Sequence, residues 1–146
     1  MKKLLFIPAL FLLLTSCSAD DDIKDISFTG EWKLIRTSAL GMVQTGAEME
    51  WQETYILRTD GTFKKTRVRD GETITAEGTY NIENVVPSQD REIVARIAMV
   101  YPEGNPIIAT CYSDKLEEDL FFRTEDLMVS NWQACDGLGL EYQRKK

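Results

Sequence analysis

The chain has 146 residues, 43% of them hydrophobic and 10% aromatic, which suits one domain with a real core. Its 17 Lys and Arg face 24 Asp and Glu, and a net charge of −7 repels nucleic acid and anionic headgroups. Histidine is absent, which removes the commonest general base and metal ligand and every Ser-His or Cys-His arrangement.

In chain order, Lys2 and Lys3 come first, followed by an apolar run from Leu4 to Leu14 broken only by Pro8. A basic start before such a run is a secretory signal. The run has 11 residues, short of the about 20 that a spanning helix needs. Leu14-Thr15-Ser16-Cys17 then resembles the lipobox of bacterial lipoproteins: an aliphatic residue, two small residues and a cysteine. Small side chains let the backbone lie extended in a peptidase groove, and the thiol is the nucleophile that takes a diacylglyceryl group. The resemblance implies a thioether on Cys17, cleavage before it and acylation of the new amino terminus. Each buried CH₂ contributes about 0.8 kcal/mol and stable anchoring needs more than one chain, a condition several chains on one cysteine meet. The alternative is an ordinary cut after Ala19, releasing a soluble product.

Residues 1–16 are thus expected to be a leader, 17–26 an acylated cysteine with an acidic tether, and 27–146 the folded domain. Loss of Lys2 and Lys3 leaves 15 basic against 24 acidic residues, a net charge of −9. Asp20-Asp21-Asp22 reads as a solvated tether. It also resembles the acidic stretch that marks surface export in some diderm bacteria, and Ser18 after the cysteine resembles lipoproteins released to the outer membrane. The expected location is therefore the outer membrane, lipid-anchored and surface-exposed, with the periplasmic face left open.

From Ile26 onward the sequence reads as strands and turns. Candidate strands are Trp32–Arg36, Trp51–Arg58, Thr62–Arg69, Thr73–Ile82, Glu92–Tyr101, Ile107–Tyr112, Asp119–Arg123, Asp126–Ser130 and Leu138–Arg144. Asp60-Gly61 and Asp70-Gly71 are two-residue hairpin signals. Residues Asn84–Asp90 and Pro102–Pro106 read as a loop and a turn. Alternation within Thr73–Ile82 and Glu92–Tyr101 favours strand over helix. Many short strands without a long helix point to an antiparallel sandwich or barrel, and the hairpin spacing favours an up-and-down meander. With Cys17 acylated, Cys111 and Cys135 remain, and an even remainder in an exported chain favours a disulfide over two free thiols.

Signals for chemistry are thin. There is no phosphate-binding glycine loop. The acids of Glu117-Glu118-Asp119 alternate between faces, and neither that run nor Asp20-Asp21-Asp22 resembles a calcium loop. No enzyme activity, cofactor or metal is expected. The basic stripe Lys64, Lys65, Arg67 and Arg69 reads as a solvated sheet face or a charge-protected edge, with anion binding as the lesser reading.

One resemblance spans residues 30 to 144. The Gly30-Glu31-Trp32 start, the Asp60-Gly61-Thr62 hairpin, Gly78-Thr79-Tyr80 and the closing Tyr142-Gln143-Arg144 resemble the lipocalin-like domains of bacterial lipoproteins. This implies an eight-stranded antiparallel barrel, with Trp32 at the closed end beneath Arg144 in a cation–π contact. A second or third lipocalin signature and a C-terminal helix are missing. Barrels of about eight strands are either filled by side chains or hold one small ligand. The expected interior comprises Trp32, Leu34, Tyr55, Leu57, Phe63, Ile74, Tyr80, Ile82, Ile97, Met99, Leu120, Phe122, Leu127 and Tyr142. Of these, Tyr55, Leu57, Phe63, Tyr80, Ile97, Met99 and Phe122 are the candidates to line a site for a small apolar or amphipathic ligand. The second reading is a solidly packed barrel that contacts another protein through loops 39–50 and 100–107.

Overall fold

The computed structural model describes residues 27–84 and 93–146. The leader, the expected acylation site Cys17, the acidic tether and loop residues 85–90 lie outside the described residues. The described residues form nine strands: β1 (Gly30–Ala39), β2 (Met42–Thr45), β3 (Gln52–Leu57), β4 (Thr62–Arg69), β5 (Glu72–Asn84), β6 (Ala95–Val100), β7 (Glu117–Thr124), β8 (Leu127–Ser130) and β9 (Gly139–Arg144). Short 3₁₀ turns occupy Gly46–Glu48 and Trp132–Cys135.

Each strand from β3 onward pairs antiparallel with the next, and β1 pairs with both β3 and β9. That last pairing closes an eight-stranded up-and-down barrel, the architecture expected from the spacing of strands and turns. β2 stands outside the ring. It takes the half of β1 that β3 does not reach, pairing with Arg36–Ala39 while β3 pairs with Gly30–Lys33. This hairpin was not foreseen, and Ile107–Tyr112, expected as a strand, is irregular.

Turn chemistry explains part of the meander. Asp70 and Gly71 both have positive φ, 52° and 80°, the two-residue geometry that matches strand twist. Asp60-Gly61 sits instead in a longer turn from Arg58, where the Asp60 carboxylate accepts from the Thr62 backbone at 2.9 Å and hydroxyl at 2.6 Å. At Gly78 a side chain has no room, because a Cβ would lie 2.1 Å from the Val100 carbonyl.

The two ends of the barrel differ. At the closed end the chain enters at Phe28, which stacks on Phe122 with ring centroids 3.9 Å apart. Trp32 packs against Phe122 and donates its indole N–H to the Phe28 carbonyl at 2.9 Å. At the mouth lie the 40–41 and 70–71 turns, segment 101–116 and the Trp132–Cys135 turn. Arg144 is the cross-strand partner of Trp32, but its guanidinium donates to the Thr29 carbonyl at 2.6 Å. It is not among the cation–π contacts of the described residues, which involve Lys65, Arg67 and Lys115. The expected contact is replaced by a clasp on the entering backbone.

Most expected interior positions are buried, among them Trp32, Leu34, Leu120 and Tyr142. Four depart from expectation, the first being Tyr80, which is only partly buried against the core. Ile74 has inward parity but sits at the rim, 38% exposed. Ile82 is partly buried against the core. Leu127 faces outward, because Phe122 pairs with Met128 and cross-strand partners share a face, so Met128 fills the interior instead.

Candidate functional site

Alternation along three strands sends charge into the barrel together with the apolar residues. Glu53, Tyr55 and Leu57 of β3 share an inner face, as do Phe63 and Lys65 of β4 and Glu118, Leu120 and Phe122 of β7. In each set the charged residue lies nearer the mouth. The consequence is an ion-pair network under the mouth.

Lys65 is fully buried, and its ammonium lies 2.7 Å from Glu118 Oε1 and 3.3 Å from Glu53 Oε1. Glu53 also accepts from Arg67 Nε at 2.5 Å and from the Tyr142 hydroxyl at 2.6 Å. Glu118 accepts from the Tyr55 hydroxyl. Two cations and two carboxylates balance, and each carboxylate has several donors, the condition under which buried charge is tolerated. Burial, and secondly Glu118, pushes the Tyr55 hydroxyl well up from its ordinary pKa. Burial and then Glu53 do the same at Tyr142. Both tyrosines therefore stay donors.

The basic stripe of β4 is thus split. Lys65 and most of Arg67 are buried, whereas Lys64 is half-buried and Arg69 is solvated. A wholly solvated face is corrected, because the strand alternates and every second residue must enter the barrel.

The network also grips the chain's own loop. Lys65 Nζ donates to the Ile107 carbonyl at 2.7 Å, and the Ala109 N–H donates to Glu118. Ile107 and Ala109 are both buried, so segment 101–116 seals the mouth from within. Cys111 and Cys135 form a disulfide, Cα atoms 5.7 Å apart, that ties this plug to the Trp132–Cys135 turn. The even cysteine remainder pointed to this bridge.

Of the seven candidate ligand-lining residues, Tyr55, Leu57, Phe63, Ile97, Met99 and Phe122 converge in the core and pack on one another, while Tyr80 is partly buried. Glu53, Lys65 and Glu118 were not among the candidates. Their parity with Tyr55, Phe63 and Leu120 was the available signal. Chemically the site is a backbone clamp: it offers an ammonium to a carbonyl and a carboxylate to an amide. Among the described residues no group of three or more metal-ligating side chains is close enough to hold an ion.

Around the rim, a cleft of about 420 Å³ runs between Arg67, Arg69 and Ile74 on one side and Pro106 and Ile107 on the other. A smaller one, about 160 Å³, lies between Ser38, Met42, Gln44, Trp51 and Leu138. No protein-family model, curated protein or solved structure significantly matches the chain.

Proposed function

We propose that the protein is a non-catalytic display module, held on the outer membrane at the cell surface by acyl chains on Cys17, whose packed barrel presents its mouth end to another protein. The observation that carries this reading is the filled interior. Tyr55, Phe63, Lys65, Ile97, Met99, Phe122 and Tyr142 have no exposed surface, and Ile107 and Ala109 close what remains. A ligand entering the barrel would have to displace a plug held by an ion network and a disulfide.

The entry point of the chain supports the orientation. Phe28 lies at the closed end, and Cys17 precedes Ser27 by ten residues, a tether reaching at most about 35 Å. An acylated Cys17 would therefore put the closed end toward the bilayer and the plugged mouth away from it. Among the described residues no helix is long and apolar enough to cross a membrane.

In favour of ligand binding stands the rim cleft of about 420 Å³, where Arg67 and Arg69 adjoin Ile74 and Pro106. That cleft suits the head of an amphipathic molecule rather than a fully enclosed one. Titrating the intact protein with a fluorescent fatty acid separates the readings. Absence of saturable binding is expected, and one-to-one binding that expels the 101–116 segment would overturn the packed barrel. Fractionating cells that carry Cys17→Ser tests the tether: the protein should leave the membrane fraction, and retention there would contradict acyl anchoring.

A further inference from the structure

A closed barrel has no free strand edges, yet this one carries an extra edge. Among the described residues β2 pairs only with β1, and all four of its residues are exposed. Met42 and Val43 are 69% and 48% exposed, and Leu40, at the tip, is 99% exposed. Nothing in the segment Leu40-Gly41-Met42-Val43-Gln44-Thr45 guards the edge: it has no charge and no proline.

The turn sharpens the anomaly. Leu40-Gly41 has φ values of 48° and 82°, close to the 52° and 80° of Asp70-Gly71. The left-handed first position favours Asn, Asp or Gly, and the β4–β5 hairpin obeys with Asp70. The β1–β2 hairpin places a leucine there, where its side chain touches almost nothing. Local preference and solvation both disfavour it, and the folded chain offers no compensation.

Resting on the display reading above, we propose that β2 is a docking edge for an extended segment of a partner protein, which adds as an antiparallel or parallel strand. Ala39 and Met42 flank a two-residue turn, so the backbone groups of Met42 and Gln44 face β1. Those of Val43 and Thr45 face outward and are the rungs a partner strand takes. Beside β2 the cleft between Ser38, Met42, Gln44, Trp51 and Leu138 accepts one partner side chain. Trp51 lines it and is 7% exposed, with an indole N–H that has no hydrogen-bond partner among the described residues. A polar acceptor on the partner would satisfy it.

Charge selects the class of partner. The flanking Glu48 is exposed, Glu50 is exposed but already paired with Arg69 at 3.0 Å, and the chain carries a net −7, so the segment that fits alternates apolar residues with Lys or Arg. A second copy fits poorly. Two copies each carrying a net −7 repel, and β2 offers its own image no basic residue to meet that charge.

Amide hydrogen exchange of the full mature chain, followed residue by residue, tests the edge. The probes are a synthetic peptide of alternating Val and Lys, and a Val-Glu peptide of equal length. Val43 and Thr45 amides should exchange quickly in the isolated protein and slow with the Val-Lys peptide. The Val-Glu peptide should bind at least about tenfold more weakly. Val43→Pro removes an outward N–H without touching the β1 pairing and should abolish the slowing. Leu40→Asn, which suits the turn, should keep the fold and weaken peptide binding by about tenfold.

Protection of Val43 and Thr45 before any peptide is added would overturn the proposal, as would no slowing with either peptide. Protection that rises with protein concentration alone, with dimers in sedimentation, would make the occupant a second copy and overturn the heterologous one. Fatty-acid binding inside the barrel would defeat the display reading, whereas a barrel that binds no fatty acid and a β2 that ignores both peptides would defeat the edge alone.

Discussion

At the closed end Phe28, Trp32 and Phe122 fill the barrel with stacked rings, and one indole N–H is satisfied by a backbone carbonyl. At the mouth the same cross-section is filled by Lys65, Glu53, Glu118 and Arg67, with Tyr55 and Tyr142 donating to the carboxylates. The first arrangement is non-directional, so a lost group leaves a cavity that neighbours partly refill. The second is a balanced set of charges, buried except for part of Arg67, so a lost member leaves another uncompensated. One barrel thus has an end that tolerates gradual change and an end that does not, and the intolerant end holds the plug.

The largest expected effect breaks the mouth. Lys65→Met should destabilise the protein by about 3–5 kcal/mol, read as a lowered urea midpoint, because Glu53 and Glu118 stay buried with one cation between them. Lys65→Met with Glu118→Gln should cost less than the single change, since the remaining Glu53–Arg67 pair is balanced again. Trp32→Ala at the closed end should cost a similar about 3–5 kcal/mol, yet leave the plug's amides protected. Equal loosening of the plug by both variants would erase the distinction between the ends.

Next comes the covalent tie. Replacing Cys111 and Cys135 together with Ala should cost about 3 kcal/mol, the loop-closure value for residues 24 apart, and should raise exchange mainly in segment 101–116. Uniform loosening would show that the bridge acts on the whole barrel rather than the mouth.

A smaller effect appears in alkali. The folded pKa values of Tyr55 and Tyr142 lie above their unfolded value of 10.0, so their contribution is complete below that pH and lost as pH rises beyond it. Tyrosinate absorbance should therefore show both hydroxyls titrating only with unfolding. Reversible ionisation in the native state would mean that the mouth admits water.

Much of the barrel was readable from alternation and turns. Thr62–Arg69 is a strand to the residue, and Asp70-Gly71 is the tight turn its residue types demand. What escaped had weaker local signals. β2 is four residues behind a Leu-Gly turn, against the usual residue preference, and β-branched Ile107–Ile108 looked like strand but serves as plug. The ion network was hidden for a different reason. Charged residues are assigned to solvent by default, although Lys65 shares parity with Phe63 and Glu118 with Leu120. Only closure of the ring, which pairs the first strand with the last, shows that these faces meet.

The most direct test of the sealed mouth is the exchange rate of the Ala109 amide, which donates to Glu118 beneath the plug. Exchange as slow as the central amides of β4 and β7 is the expected result. Exchange as fast as the exposed 70–71 turn would contradict it, for the plug would then stand open and the interior would be free to hold something else.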